Sequence, residues 1–300
     1  MVLNELHAAK LATDAYITPF PEQYRDGYVK LAAVDSYILH ECEQVRFHQE
    51  DTAEAFTGLL GNVGFVALRG TEDLADAKVD GKFHKVPFRV KQDLSAGRTF
   101  EFSVKGPPAG KVRVHRGVLR YVSYLMTSIM DAIDVWPEET QTIIVTGHSL
   151  GGGMSQLVAA ILKLHGYDVY LCNFCAMRAG NSHFAEYLNN VLEPIDPNTG
   201  TPEAFRMLRF VNSTDVVPHM PPLFVGYRHA RGLRYRTKAG VWRKHMPMID
   251  QLVGLVHSAI KSVGRDLVEN HFMEPFLKSL EKRVEERAQT GQRNFMEIAA

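Results

Sequence analysis

Ser149 stands between two glycines, Gly147 and Gly151, in "GHSLGGG". A serine hydroxyl is a weak nucleophile until a nearby base takes its proton and its own backbone is turned clear. A sharp turn from a strand into a helix does the second. The flanking sequence supports such a turn. "TIIVT" (142–146) is apolar and β-branched, and "GGMSQLVAAILKLHG" (152–166) has helical periodicity. The turn leaves no room for a side chain two residues either side of the serine, so Gly147 and Gly151 read as steric requirements. Gly152 and Gly153 allow the helix to approach neighbouring strands. The helix start also aims N–H groups and a positive dipole end at the serine, which makes the Leu150 N–H a donor for an oxyanion. The competing reading is that the glycines serve tight packing alone.

Such a serine needs a base and an orienting acid, which follow a serine of this kind in the order acid, then histidine. Asp215 lies in "RFVNSTDVVPHMPP", just past a strand and ahead of Pro218, Pro221 and Pro222. That is a rigid loop at a strand's carboxyl end, where sites in open α/β sheets gather. An Asx-turn aspartate is the plainer alternative. Five histidines follow it: His219, His229, His245, His257 and His271. His219 and His229 sit near the proline-rich loop and read as structural. His257 in "LVGLVHSAI" lies on an apolar helical face and reads as core. His271 follows the polar step Glu269-Asn270 and precedes Phe272 and Phe276, which would anchor a terminal helix. A base on a loop fixed by a packed element fits that setting best.

The elements that must position these groups alternate along the chain. Strands are expected at 62–70, 111–117, 142–147, 167–174 and 204–212, with helices at 118–134 and 152–166. That alternation predicts a mostly parallel sheet covered on both faces. An amphipathic helix is expected near the N-terminus, on Leu3, Leu6, Leu11 and Ala15, and a further helical stretch over 251–280. No break in composition divides residues 1–300, which read as one domain. The irregular segment at about 72–110 reads as an insertion or lid. Equal numbers of Lys+Arg and Asp+Glu, 34 each, argue against a nucleic-acid binder. Three cysteines make no disulfide framework. Cys172 and Cys175, three apart on an expected strand, point to opposite faces and read as core rather than as metal ligands. Asn4, Glu5, His7 and Lys10 interrupt any signal-peptide core, and no run is long enough for a transmembrane helix. From Arg228 to Lys244 there are seven Lys or Arg and no acid. That run reads as a solvated, half-exposed hairpin, with attraction to an anionic interface as the alternative.

Several segments together resemble the class 3 lipases, the fungal-type triacylglycerol lipase family. They are "VALRGTEDLADAKVD", "VHRGVLRYV", "VTGHSLGGGMSQLVA", "MRAGN", "RFVNSTDVVPHMPP" and "GYRHA", in that order over about residues 60–275. The resemblance implies an α/β-hydrolase fold and ester hydrolysis at lipid surfaces. It implies Ser149 as nucleophile, Asp215 as orienting acid and His271 as base, although Asn270 stands where an aspartate is usual. It points to Thr71 as a second oxyanion donor and to the segment after it as the lid, with Ala77 where a tryptophan is common. No cofactor or metal is implied. The expected partner is a lipid ester at an oil–water or membrane interface. A phospholipase A1, a short-chain esterase, and an inactive lipase-like binding module are the alternatives. The chain's own N-terminus reads as cytoplasmic, whereas the family points to secretion. Acyl length, head group and oligomeric state are not set by the sequence.

Overall fold

The computed structural model describes residues 2–19, 23–25, 27–30, 35–70, 83–93, 99–104, 109–200, 206–213, 215–247, 271, 273–294 and 296–299. Its main sheet has eight strands: β1 (Glu43–Glu50), β2 (Ala53–Leu60), β3 (Val63–Leu68), β4 (Thr142–His148), β5 (Asp168–Phe174), β6 (Met207–Asn212), β7 (Leu233–Arg236) and β8 (Trp242–Arg243). They lie side by side in chain order. β3 to β7 run parallel, while β1, β2 and β8 pair antiparallel at the two edges.

Side-chain alternation sorts the strands' residues between two cores. On β4, Ile143 and Val145 face one layer, and Ile144 faces the other. Helices α2 (Arg116–Ile133), α3 (Leu150–Leu164) and α4 (Ser182–Leu192) contribute to the first core. They lie on connections that all advance the sheet in one direction, and right-handed crossovers of that kind put their helices on one face. Helices α1 (Glu5–Asp14) and α5 (Glu274–Thr290) contribute to the second core. The fold is the α/β-hydrolase architecture, a mostly parallel sheet with helices on both faces.

Local rules explain where several elements stop and start. The expected strand at 111–117 is cut to Arg113–His115, because the His115 ring accepts the Val118 N–H (3.3 Å) and starts α2. Asn4 caps α1 by accepting the Leu6 N–H at 3.0 Å. At the other end of α1 the buried Asp14 carboxylate accepts the N–H groups of Tyr37, Ile38 and Leu39, at 2.8 to 3.0 Å. The helical reading of 251–280 falls mostly outside the described residues. From Glu274 the helix runs to Thr290, supported by a Glu274–Lys278 pair at 2.7 Å and ended by Gly291 in the left-handed region. The basic stretch does form a hairpin, β7 with β8, but β7 is also hydrogen-bonded into the main sheet beside β6.

One expectation is corrected. The strand carrying Cys172 ends at Phe174, and Cys175 turns off it at φ +47°, so both thiols enter the same core instead of opposite faces. The lid was expected over about 72–110. Residues 71–82, 94–98 and 105–108 lie outside the described set, and much of the remainder is built into the body. Lys85–Pro87 pairs with Arg113–His115, and Arg89–Asp93 with Thr99–Ser103. Phe88, Val90 and Phe102 are buried in the α2–α4 core, and Phe88 meets Phe184 edge-on at 5.5 Å. These apolar residues are packed against helices and strands of the body.

Buried histidines couple this fold to acid. His48 on β1 is buried and shares a 2.8 Å hydrogen bond with Thr57 of β2. Burial, and the nearby Arg46 charge, push its pKa down to about 3. The folded chain therefore holds it neutral, while the unfolded chain protonates it below its ordinary value near 6.5. Its contribution is complete above that value and is lost as pH falls toward 3. The expected outcome is a melting temperature that drops between pH 6.5 and 4, with a shallower drop in His48→Gln. Equal slopes for the two proteins would exclude His48 as a source of acid sensitivity.

Candidate active site

The turn between β4 and α3 carries Ser149 at φ +59° and ψ −122°. An L-residue pays roughly 1–3 kcal/mol to hold such a conformation, so the surroundings must enforce it. They do so by contact. A Cβ on Gly151 would lie 2.1 Å from the Leu68 carbonyl oxygen, and one on Gly147 would lie 2.5 Å from the Gly151 carbonyl oxygen. The Ser149 N–H donates to the Phe174 carbonyl on β5 at 3.0 Å. The turn is thus wedged between β3 and β5. Leu150 opens α3, where the first N–H groups have no acceptor within the helix.

Asp215 follows β6 and is buried. One carboxylate oxygen, Oδ1, accepts the Val217 N–H at 2.9 Å, so the plain Asx-turn role is present. The other, Oδ2, accepts from Nδ1 of His271 at 2.9 Å. The two readings of this aspartate are therefore compatible: the turn fixes the carboxylate that meets the histidine. His271 is buried as well, and its Nε2 has no hydrogen-bond partner among the described residues. Catalytic hydrogen bonds are often long or unformed without substrate.

A second histidine holds the first. A carbonyl oxygen can only accept, so the 2.6 Å contact from His148 Nε2 to the His271 carbonyl places a proton on Nε2. Burial first, and the neighbouring His271 second, keep the His148 pKa well below its ordinary value, so the ring is neutral. Its Nδ1 is then an acceptor, and the Tyr16 hydroxyl donates to it at 2.7 Å. The His148 and His271 rings lie 4.4 Å apart. Tyr16 comes from the turn just past α1, and α1 is tied to β4 by a 3.0 Å bond from the Thr146 hydroxyl to the Ala8 carbonyl. His148, Cys175 and His271 bring three ligand-type atoms within 4.8 Å of one another. Both His148 nitrogens and Nδ1 of His271 are already engaged. Burial, and then Asp215, raise the Cys175 thiol well above its usual range. A thiol that keeps its proton is a poor metal ligand, so the group reads as one hydrogen-bonded network.

Gly70 completes the wall. A Cβ there would lie 2.4 Å from the Tyr16 hydroxyl, 2.7 Å from the His148 carbonyl and 3.1 Å from the Ser149 Cβ. Arg69, next to it, bonds the Glu54 carboxylate and the Thr18 hydroxyl, fixing the end of β3. Thr71 follows Gly70 in sequence and lies outside the described residues, as does His257. Of the other histidines, His229 gives its Nε2–H to the Pro218 carbonyl at 2.6 Å, and His219 and His245 line a cavity with it. Tyr16 was not visible as a site residue in the sequence, since 132 positions separate it from its partner His148.

Residues 65–225, just over half of the chain, match the family model described as Lipase (class 3). The chain belongs to the class 3 lipase family. It is 32% identical over 136 residues to a lipase of Rhizomucor miehei, covering 42% of this chain and 34% of that protein. It is 30% identical over 195 residues to a lipase of Rhizopus niveus, covering 62% and 44%. The chain thus spans less than half the length of these curated relatives. Among solved structures, the Lip2 lipase of Yarrowia lipolytica superposes with a TM-score of 0.62 at 18% identity, over 90% of this chain and 91% of that one. A triacylglycerol lipase whose catalytic centre is a serine-protease triad superposes at 0.55 with 20% identity, over 79% and 83%. At such identities the likeness speaks for the fold of this family member.

Removing the Tyr16 hydroxyl leaves a buried ring nitrogen of His148 without its donor. Tyr16→Phe is expected to cost roughly 1–3 kcal/mol of stability, read as a lower urea midpoint with an unchanged slope. An unshifted midpoint would mean that the Tyr16–His148 bond contributes nothing.

Proposed function

We propose that this chain hydrolyses the carboxylic esters of lipids as a triacylglycerol lipase, through an acyl-enzyme on Ser149. The observation that carries the reading is His271, bonded through Nδ1 to the buried Asp215 while its Nε2 is buried with no partner. That nitrogen is a base with nothing to accept, on a residue tied to the element that carries Ser149. A carboxylate bonded to Nδ1 is what an imidazole needs in order to take a proton at Nε2 and be stabilised as a cation.

In this mechanism Nε2 of His271 takes the Ser149 hydroxyl proton as Oγ attacks the ester carbonyl. Asp215 holds the ring in the required tautomer and stabilises the imidazolium. The tetrahedral oxyanion is received by the N–H of Leu150 and, as we assign it, by the N–H of Thr71. Collapse breaks the bond to the alcohol, which leaves with the proton from Nε2. Water then gives a proton to the same nitrogen and attacks the acyl-serine; collapse breaks the bond to Ser149 Oγ, which takes that proton back from Nε2 as the fatty acid is released. Support for the substrate class comes from the relatives, which are lipases by description. A lid role for the segment at about 72–110 is part of the proposal, with Phe88 and its neighbours packed on the body. Among the described residues no helix is long and apolar enough to cross a membrane, so access to lipid is proposed to occur at an interface.

Ser149→Ala is expected to lower kcat on p-nitrophenyl butyrate by on the order of 10⁴-fold or more, with the melting temperature kept. His271→Ala should lose about as much, and the double variant no more than either, because the members of such a group act as a unit. A fluorophosphonate probe should label the native protein and spare Ser149→Ala. Retention of more than a few per cent of activity by a folded Ser149→Ala protein would refute the nucleophile assignment. Tributyrin, triolein and a phosphatidylcholine offered side by side separate a lipase from a phospholipase A1. Hydrolysis of the phospholipid alone would overturn the triacylglycerol assignment.

A further inference from the structure

Away from Ser149, two buried arginines share a cavity with no acid. Arg178 lies on the turn after β5, and Arg209 lies on β6; they are 6% and 8% exposed. Both line a cavity of about 400 Å³ together with His219, His229, Lys244 and His245. Arg178 donates through Nη1 to the backbone carbonyls of His219 and Pro221, the latter at 2.8 Å, and its Nε has no partner. Nε of Arg209 is likewise buried without a partner. Among the described residues neither guanidinium meets a carboxylate, and the cavity lining contains no Asp or Glu. His229 spends its Nε2–H on Pro218, and its Nδ1 is buried and unpartnered.

A buried cation is tolerated when it is paired, and an unpaired one is strongly unfavourable. Here the repulsion is visible in the groups themselves. Burial, and then Arg178, push Arg209 down to about 9, and burial, and then Arg228, push Arg178 down to about 10. Both still carry a proton at neutral pH, so two positive charges line one cavity. The missing partner is an anion. Guanidinium forks match the oxygens of carboxylate and phosphate. A carboxylate brings one charge to a site that offers two guanidiniums and the Lys244 ammonium. A phosphate that is free or a monoester brings up to two charges, and the proton of free hydrogenphosphate can be accepted by Nδ1 of His229.

We propose that the Arg178–Arg209 cavity binds a phosphate group, either free or borne on a glycerol headgroup. The site stands apart from ester hydrolysis and does not depend on that reading. Its wall includes Pro218 and His219, on the same short loop as Asp215, so an occupant would brace that loop.

Isothermal titration of the full chain at pH 7 and low salt tests this with three probes. They are sodium phosphate, glycerol 3-phosphate and sodium acetate, at matched ionic strength. Saturable binding of phosphate or glycerol 3-phosphate is expected in the submillimolar range, with acetate at least about tenfold weaker. Phosphate alone binding would identify the free anion as ligand, and glycerol 3-phosphate binding as well or better would identify the glycerol-borne group. Arg209→Gln should weaken binding by about tenfold or more. Lys244→Ala, at an exposed side chain whose loss leaves the core untouched, should weaken it several-fold and decides the matter where Arg209→Gln fails to fold. No saturable binding of either phosphate compound up to about 10 mM, equal binding of acetate, or unchanged affinity in folded variants would overturn the proposal.

Discussion

The contact between Gly151 and the carbonyl of Leu68 governs much of this molecule. It brings the start of α3 against the end of β3 so closely that no Cβ fits. Strand β4 is thereby forced to end in a turn tight enough to hold Ser149 at positive φ. The cost of that conformation is met by the sheet, since β3 and β5 flank β4 along most of its length. The same closeness sets Gly70 beside Ser149, so the segment that follows β3 starts at the serine whatever its later course.

Around this turn, the atoms that hold the fold are the ones the proposed chemistry would use. His148 belongs to the elbow, yet its two nitrogens tie an N-terminal tyrosine to the backbone of a C-terminal histidine. Asp215 closes an Asx turn with one oxygen and orients His271 with the other. Segments from both ends of the chain and from two strand ends therefore converge on one point. These bonds run from 2.6 to 2.9 Å and share residues with one another, so each helps hold the next in place.

How much of this could be read from the sequence follows from what is local. The elbow was legible because its strand, glycines and helix are contiguous, and the parallel strands were legible because burial on both faces makes them apolar runs. Asp215 and His271 were singled out by order and loop chemistry, and the two side chains are bonded to each other. β1 and β2 were not anticipated, since an exposed edge strand such as "EQVRFHQE" carries charges in place of an apolar run. Tyr16 and the Arg178–Arg209 pair were hidden for another reason. Their meaning depends on partners distant in sequence, or on the absence of one, and no spacing rule records either. The packing around Phe88 was not legible because an irregular, proline-containing stretch looks alike whether it is free or packed against a helix layer.

The three cysteines have a use that their burial creates. All are free, and Cys42, Cys172 and Cys175 sit in the layer between the sheet and helices α1 and α5. Burial is the main cause that raises each thiol, Cys42 to about 12 and the other two well above the usual range. A thiol that is both enclosed and protonated is nearly inert to alkylating reagents. The folded chain consequently carries three silent reporters under one helical layer. The pace of their alkylation measures how often that layer lifts from the sheet, and comparison of that pace with global unfolding separates local opening from loss of the whole fold.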